Sequence, residues 1–175
     1  MEQTAIAERL IAHLGEDSVL TSGEHQGQCW VTVGPESLRD VLQFMATDPD
    51  IAVDMLSDVG GVDYLDYGDD RPWRFEVVYQ LSSLALNHRF RVKVAVMDEQ
   101  TEVPSVWDLY GVANWMEREV FDLYGVHFTG HPNLRRILCH DDFQGHALRK
   151  DYPINKRQKL TRPVENLLTD KPEWA

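Results

Sequence analysis

The sequence predicts an α+β domain: a small, mostly antiparallel sheet with N-terminal helices on one face, a final charged helix and an extended C-terminal tail. Two amphipathic helical stretches precede the strand-like segments, and a third helical region follows them. The clearest strand, Arg89–Met97, alternates apolar side chains with basic ones, which is typical of an antiparallel sheet with one face in water. We expect the globular part to cover residues 1–125 and the tail to cover residues 126–175.

The first part of the chain predicts one helix and one strand. The helix is indicated by four apolar side chains at helical spacing, Ile6, Leu10, Ile11 and Leu14. Gly15 is positioned to end it. The polar stretch Thr21–Gln28 is expected to be a connection, and Cys29–Val33 is predicted to be a strand because its residues suit a pleated surface.

The middle of the chain predicts a second helix and three strands. Pro35 begins the helix, since proline is tolerated in the first turn, and the helix has to end near Asp48 because a proline follows. Its apolar stripe consists of Leu38, Val41, Leu42 and Met45. Ile51–Ser57 is apolar enough for a strand, and Trp73–Leu84 pairs with Arg89–Met97 in the predicted hairpin.

The last helical region begins at Ser105, whose hydroxyl suits an N-cap, and ends at Gly125. The pattern leaves open whether it is one helix or two with a break at Gly111. On a helical wheel, Val112–Tyr124 separates into two arcs. The apolar arc holds Val112, Ala113, Met116, Val120, Leu123 and Tyr124. The charged arc holds Glu117, Arg118, Glu119 and Asp122, with Trp115 and Phe121 among them.

The two aromatic side chains in the charged arc indicate that it meets a partner or another domain. A solvated helix face seldom needs large aromatics, whereas interfaces commonly use them with arginine. A solvated face and a pair of catalytic acids are the alternative interpretations, and paired carboxylates alone do not establish the second. Arg118 and Asp122 are four residues apart and are able to pair along the helix, which contributes only about 0.2–0.5 kcal/mol.

The charge of the chain is unevenly distributed. The net charge is −12. Residues 1–124 hold 8 Lys/Arg against 23 Asp/Glu, while residues 125–175 hold 9 against 6. The acidic body argues against nucleic acid or an anionic membrane as the main partner. The basic tail is predicted to be an arm for the acidic surface of another protein, with nucleic-acid binding through the tail as the weaker alternative.

The sequence predicts no catalytic, cofactor-binding or metal-binding residue. Cys29 and Cys139 form no CxxC pair and are too few for an iron–sulfur cluster, and such cysteine usage favours an intracellular location. The cluster His127, His131, Cys139, His140 and His146 with Asp141 and Asp142 fits no closed zinc pattern. Structural zinc and a catalytic metal remain the less favoured interpretations. Histidines bonded to backbone or to nearby carboxylates are favoured.

No phosphate loop or nucleophile elbow is present. We expect neither a secretory signal nor a membrane span, because no apolar run reaches roughly 18 residues.

A long motif begins in the charged helix. Its four blocks are Glu117–Tyr124, His131, Arg135–Leu138 and Asp141–Pro153, with positions 120, 121, 136, 144 and 147 left variable. This motif resembles the signature of the respiratory-chain NADH dehydrogenase 30 kDa subunit family, which includes the C subunit of bacterial NADH-quinone oxidoreductase (complex I). With Leu56–Tyr64 and the hairpin, the resemblance covers about Ile51–Pro153. Phe143 stands where the family usually has tryptophan and Ala147 where it has proline, which puts only local packing in doubt.

The resemblance implies a peripheral-arm subunit with no cofactor of its own. Such a subunit packs against the hydrogenase-like large subunit of the complex, the D subunit, and lies near the other hydrophilic subunits. NADH, FMN, iron–sulfur clusters and quinone are held elsewhere in the complex. The complex couples electron transfer from NADH to quinone to proton translocation, and the subunit is a peripheral membrane protein on the cytoplasmic side. The alternative is the equivalent subunit of a membrane-bound hydrogenase or of another quinone oxidoreductase.

Ten residues of the motif are expected to be structural or to lie at contacts between subunits. Glu117, Arg118, Glu119 and Asp122 are expected to hold the helix to the following segment and to the large subunit. The residues expected to dock that segment are His131, Arg135, Arg136, Arg149, Lys150 and Asp151. Buried pairs of this kind fix the register of neighbouring segments more than they add net stability, although removing one partner costs about 3–5 kcal/mol. We expect Arg118→Ala to impair assembly more than it unfolds the isolated chain.

Overall fold

Three helices pack on one face of a five-stranded sheet in the part of the chain that the computed structural model describes, residues 3–68, 71–98 and 102–158. The helices are α1 (Gln3–Leu14), α2 (Leu38–Thr47) and α3 (Ala113–Tyr124). The strands are β1 (Thr21–His25), β2 (Gln28–Val33), β3 (Met55–Asp63), β4 (Phe75–Ser83), β5 (His88–Val96), β6 (Glu102–Pro104) and β7 (His127–Thr129). The α+β prediction is confirmed.

The main sheet has the strand order β1-β2-β5-β4-β3. Its neighbouring strands are antiparallel except for β2 and β5, which run parallel. The β4–β5 hairpin pairs Phe75 with Val96 and Ser83 with His88, as the alternating pattern predicted. The short strands β6 and β7 form a separate parallel pair, which places the segment before α3 beside the segment after it.

The apolar residues that predicted the first two helices form much of the core. Ile6 and Leu10 of α1 are fully buried, as are all four residues of the α2 stripe. A single 3₁₀ turn, Pro35–Ser37, precedes α2 and accounts for the start that the proline indicated. The other face of the sheet carries no helix from the described ranges and presents Gln80, Arg91 and Lys93.

Two predicted boundaries near the sheet edges are wrong. Thr21–Gln28 is mostly strand β1 and not a connection, because an edge strand with exposed side chains needs no apolar pattern. The strand predicted at Ile51–Ser57 begins only at Met55 and continues to Asp63. Within this strand, position 61 has to be glycine. A Cβ there would lie 2.5 Å from the ring of Tyr124, so only glycine lets α3 approach the sheet this closely.

The region before α3 is not a continuous helix. Turns connect Ser105 to Ala113, where α3 begins, so the predicted N-cap at Ser105 is wrong. After β7 the chain continues through turns to residue 158, and the last part of the predicted tail lies outside the described residues. The proposed division at residues 125 and 126 stays a prediction.

Candidate functional site

Three of the four charged residues in the charged arc of α3 face the interior of the protein. Glu117 and Asp122 are fully buried and Arg118 is 4% exposed, whereas Glu119 lies in solvent. The solvated-face alternative is therefore wrong for the three buried residues. The reason is that two other segments cover this arc: the turn after β6, and residues 131–151, which we call the strap.

Glu117 binds the segment that enters α3. Its carboxylate accepts a short hydrogen bond from the Ser105 hydroxyl and one of 2.8 Å from the Val106 N–H. Arg39 of α2 holds the same segment by donating to the Ser105 carbonyl and pairing with Asp108 at 2.7 Å. Burial raises the pKa of Glu117 to about 7, because the loss of water outweighs the two hydrogen bonds to the carboxylate.

Arg118 binds the strap through backbone carbonyls. Its Nε donates to the Arg135 carbonyl at 3.1 Å and its Nη2 to the Arg136 carbonyl at 3.4 Å. The guanidinium lies 4.8 Å from the centre of the Trp115 ring, within the range of a cation–π contact. Burial, with the nearby charge of Arg135, lowers the pKa of Arg118. The predicted pairing of Arg118 with Asp122 is not formed.

Asp122 anchors the strap with one carboxylate. Its Oδ2 accepts the consecutive backbone N–H groups of residues 137–139 at 2.8–3.1 Å, and its Oδ1 accepts Arg136 Nη1 at 2.8 Å. Burial by itself opposes ionisation of Asp122 and is the largest single influence on its pKa. The N–H groups of Cys139 and Leu138 and the Arg136 guanidinium together outweigh it, so the pKa of Asp122 lies below its usual value. This carboxylate is therefore ionised while completely buried.

The strap also completes the C-terminus of α3. The last carbonyls of an α-helix have no partner inside the helix. Here each of the last four carbonyls accepts a hydrogen bond. The Phe121 carbonyl accepts from the Gly125 N–H and the Asp122 carbonyl from His146 Nδ1. The Leu123 carbonyl accepts from the Leu148 N–H and the Tyr124 carbonyl from Arg149 Nε. Gly125 has a φ of 77°, and a Cβ on it would lie 2.5 Å from His146 Nε2. Glycine is thus needed both for the left-handed cap and for the approach of the strap.

The end of the strap is fixed to the sheet by Asp63 and Arg74. Asp63 is buried and accepts the Lys150 N–H at 2.9 Å and Arg74 Nη2 at 3.1 Å. Arg74 also pairs with Asp151 at 2.9 Å. Burial opposes ionisation of Asp63, but the Arg74 guanidinium and the Lys150 and Leu65 N–H groups lower its pKa. The strap therefore follows α3 and ends against β3 and β4.

The remaining predicted site residues divide into two groups. His131 contacts the Asn114 carbonyl through Nε2 at 2.9 Å, so it joins the start of the strap to the start of α3. With the His146 contact to the Asp122 carbonyl, this confirms for two histidines that they bond to backbone. The side chains of Glu119, Arg135 and Lys150 are exposed. Arg135 and Lys150 contribute to the strap contacts through backbone atoms only.

Sequence reasoning missed three participants: Asp63, Arg74 and Ser105 in its role as donor to Glu117. Asp63 lies 87 residues before Lys150, its strap partner, and no periodic pattern connects positions so far apart. The available signal was that Asp63 lies within Leu56–Tyr64 and Arg74 within the hairpin, two segments that took part in the family resemblance.

The described residues contain no group of three or more His, Cys, Asp or Glu side chains placed to hold a metal ion. Within the same ranges, no helix is both long enough and apolar enough to cross a membrane. The polar atoms of the site instead bind other atoms of this chain. The fold and site thus define a class of protein: a small α+β domain whose C-terminal segment is tied back over its last helix by buried charges.

Comparison with known proteins identifies the family within that class. Residues 31–158 match the family model of the respiratory-chain NADH dehydrogenase 30 kDa subunit. The chain belongs to this family, and the matched residues include α3 and the whole strap.

Individual relatives agree with this assignment. The C subunit of the NADH-quinone oxidoreductase of Roseiflexus castenholzii is 43% identical over 158 residues, which cover 90% of this chain and 88% of that protein. NADH-quinone oxidoreductase subunit 5 of Thermus thermophilus is 45% identical over 141 residues, 78% of this chain and 67% of that protein.

Two solved structures have a similar fold. A trypsin-resistant fragment of Nqo5, residues 1–134, gives a TM-score of 0.64 at 37% identity, covering 77% of this chain and all of the fragment. A chain of an archaeal respiratory membrane complex, the membrane-bound sulfane sulfur reductase, gives a TM-score of 0.69, covering 89% of this chain and 88% of that one. Its identity is 21%, so this second likeness concerns the fold alone.

Proposed function

We propose that the chain is a non-catalytic, peripheral-arm structural subunit of an NADH:quinone oxidoreductase, complex I. The observation that carries the proposal is the match of residues 31–158 to the 30 kDa subunit family. It is joined by relatives, 42–49% identical, that are named as the C subunit of NADH-quinone oxidoreductase. The chain supports the transfer of electrons from NADH to quinone, and NADH, FMN, iron–sulfur clusters and quinone bind to other subunits.

The non-catalytic part of this role is supported by how the motif residues are used. Glu117 and Asp122 are the acids that a catalytic interpretation would need, and both are fully buried. Each accepts hydrogen bonds from atoms of this chain, so neither carboxylate is open to a substrate. The network instead fixes the shape of the outer surface formed by α3 and the strap.

That surface is the candidate contact with the hydrogenase-like large subunit. The strap is rigidly placed by contacts along its length, while Glu119, Arg135 and Lys150 point outward from it or from α3. Trp115, Leu138 and Leu148 are exposed on the same two elements. Apolar side chains among exposed charges are typical of contacts between subunits. The complex would hold this subunit at the cytoplasmic side of the membrane.

Affinity isolation tests the proposal. The tagged full-length chain is expressed in its native cells in place of the untagged one, membranes are solubilised in mild detergent, and accompanying proteins are identified by mass spectrometry. We expect the large subunit and the NADH- and flavin-binding subunits, with NADH-dependent quinone reduction in the isolate. Recovery of hydrogenase subunits and no NADH-binding subunit would instead support the alternative complex, and recovery of no respiratory subunit would refute both.

A further inference from the structure

Arg118 is the most buried arginine of the described residues. Arg74 pairs with Asp63 and Arg136 pairs with Asp122. Arg118 is 4% exposed, yet no carboxylate of the described residues forms an ion pair with it. A cation withdrawn from water without an opposite charge is unfavourable, so the charge of Arg118 is uncompensated within this part of the chain.

One end of the Arg118 guanidinium remains available. Nε and Nη2 donate to strap carbonyls, whereas Nη1 has no hydrogen-bond partner among the described residues and is not fully enclosed. A carboxylate binds a guanidinium most strongly through short, charge-assisted hydrogen bonds, and Nη1 is the nitrogen that still has donors to offer.

The surroundings of that nitrogen have the composition of a binding surface. Trp115 covers the guanidinium with one face of its ring and is itself 63% exposed. Arg135 adjoins Arg118, because its backbone carbonyl accepts the Arg118 Nε at 3.1 Å, and its own side chain is exposed. Tryptophan and arginine are the residues most enriched among those that dominate binding energy at protein interfaces.

We propose that Trp115, Arg118 and Arg135 form a receptor for an aspartate or glutamate side chain of the adjoining subunit. The carboxylate would be bound by Arg118 Nη1 and Arg135, and an apolar side chain beside it would pack on the exposed Trp115 ring. The inference rests on the proposed function, because the partner is taken to be a subunit of the same complex.

Charge favours an acidic protein surface over the other anionic partners. Two arginines, Arg118 and the Arg135 to whose carbonyl it is bonded, adjoin here, although residues 1–124 as a whole carry 8 Lys/Arg against 23 Asp/Glu. Nucleic acids and anionic membranes are extended and negatively charged, so the acidic body would be repelled where it adjoins the receptor. A single carboxylate on a folded partner meets only the local positive charge.

Charge reversal at an exposed position tests the receptor without disturbing the buried network. Arg135→Glu is compared with Arg89→Glu, a reversal of the same sign at another exposed arginine, on β5. In the affinity isolation, we expect Arg135→Glu to lower recovery of the adjoining subunit at least tenfold. Recovery with Arg89→Glu should equal that of the unchanged chain. The melting temperatures of both variant chains should stay within experimental error of the unchanged one.

Cross-linking locates the acidic partner directly. Arg135→Lys introduces an amine, and a carbodiimide joins an amine to a neighbouring carboxylate as an amide, with the carbodiimide taking up water to form a urea. We expect one amide between position 135 and an Asp or Glu of a single subunit, and none from the Arg89→Lys control. Trp115→Ala should reduce the yield of this product.

The outcomes separate the receptor from the proposed function. If the unchanged chain brings down the complex but Arg135→Glu does so equally well and Arg135→Lys gives no amide, the receptor is refuted and the function stands. If Arg135→Glu weakens binding to anionic vesicles or nucleic acid and not to the complex, the receptor for a protein carboxylate is equally refuted. If the unchanged chain brings down no respiratory subunit, the proposed function itself fails.

Discussion

Glu117 and Asp122 lie on the same buried face of one helix, and yet burial leaves them in opposite states. Both carboxyl groups are fully shielded from water. The pKa of Glu117 is raised to about 7, whereas that of Asp122 is lowered. The difference shows that burial alone does not decide whether an acid is charged. The number and charge of the donors that replace water decide it.

The two sites differ in what those donors are. Glu117 receives one hydroxyl and one N–H, both neutral, from the segment that enters α3. Asp122 receives three N–H groups and an arginine from the strap that leaves it. We infer that the exit side of α3 is fastened by a true ion pair. The entry side is fastened by a carboxyl group that easily takes up a proton.

Asp122→Asn should produce the largest loss of stability. It removes the negative charge that compensates Arg136. It also replaces one of the two acceptor oxygens by an NH2 donor, which would face either Arg136 or the three N–H groups. Removing one member of a buried pair costs about 3–5 kcal/mol of unfolding free energy. The measurement is chemical denaturation of the full-length chain. Asp108→Asn is the matched control, since Asp108 pairs with Arg39 at the surface and its loss should cost about 1 kcal/mol or less.

An Asp122→Asn chain as stable as the control would contradict the assignment of Asp122 as the anchor of the strap. Hydrogen exchange would sharpen the comparison. We expect the N–H groups of residues 137–139 to lose protection in Asp122→Asn, while the Val106 N–H keeps its protection because it is bound to Glu117.

Glu117 should make the chain less stable as the pH rises from about 4.5 to about 7. In this window the folded state still holds the Glu117 proton and the unfolded state has released it, so the unfolding free energy falls with pH. The shift corresponds to at most about 3 kcal/mol. Glu117→Gln mimics the protonated group, as its amide is able to donate to Ser105 while its oxygen accepts from Val106. The variant should therefore lack this component of the pH dependence.

The contribution of Asp122 to the unfolding free energy changes with pH in the opposite direction. Its pKa is lowered in the folded state, so its contribution is present above its ordinary pKa of 3.8 and is lost as the pH falls through the lower folded value. Denaturation curves between pH 3 and 8 for the unchanged chain and Glu117→Gln test the statement on Glu117, and the curve of Asp122→Asn at the acid end tests the statement on Asp122. Parallel stability profiles for the two chains between pH 4.5 and 7 would refute the raised pKa of Glu117.

Gly125→Ala should release the exit side of α3 while leaving the entry side in place. A Cβ at this position needs an unfavourable positive φ and meets His146 Nε2 at 2.5 Å, so the strap has to move away from the helix end. We expect a loss of about 1–3 kcal/mol, the range for a strained backbone position. Gly27→Ala is the control, because Gly27 also has a positive φ but open space around it. Limited proteolysis should cut the strap faster in Gly125→Ala than in the control.

The apolar parts of this fold could be predicted from the sequence, and the polar parts could not. The Leu38–Met45 stripe and the β4–β5 alternation are local patterns, and local periodicity determines which side faces the core. Glu117, Arg118 and Asp122 belong to the same kind of pattern but face inward. The reason is that two segments outside the helix cover them, the turn after β6 and the strap. Asp122 was expected to be structural as a motif residue, and Arg136, at a position that the motif leaves variable, as a docking residue. Only the fold shows that Asp122 and Arg136 pair with each other, and that Arg74 pairs with Asp151.

Asp151→Asn should have the smallest effect on stability. It tests whether solvent exposure limits how much these charge pairs contribute to the unfolding free energy. Asp151 is half exposed, and Arg74 keeps Asp63 and Asp98 when it is lost. Exposed pairs contribute about 0–1 kcal/mol because water and salt compete for the charges. We expect a change within that range that disappears at high salt, measured in the same denaturation experiment as Asp122→Asn. A loss as large as that of Asp122→Asn would mean that the strap is held at its end as firmly as along α3, and that Asp122 is not its principal anchor.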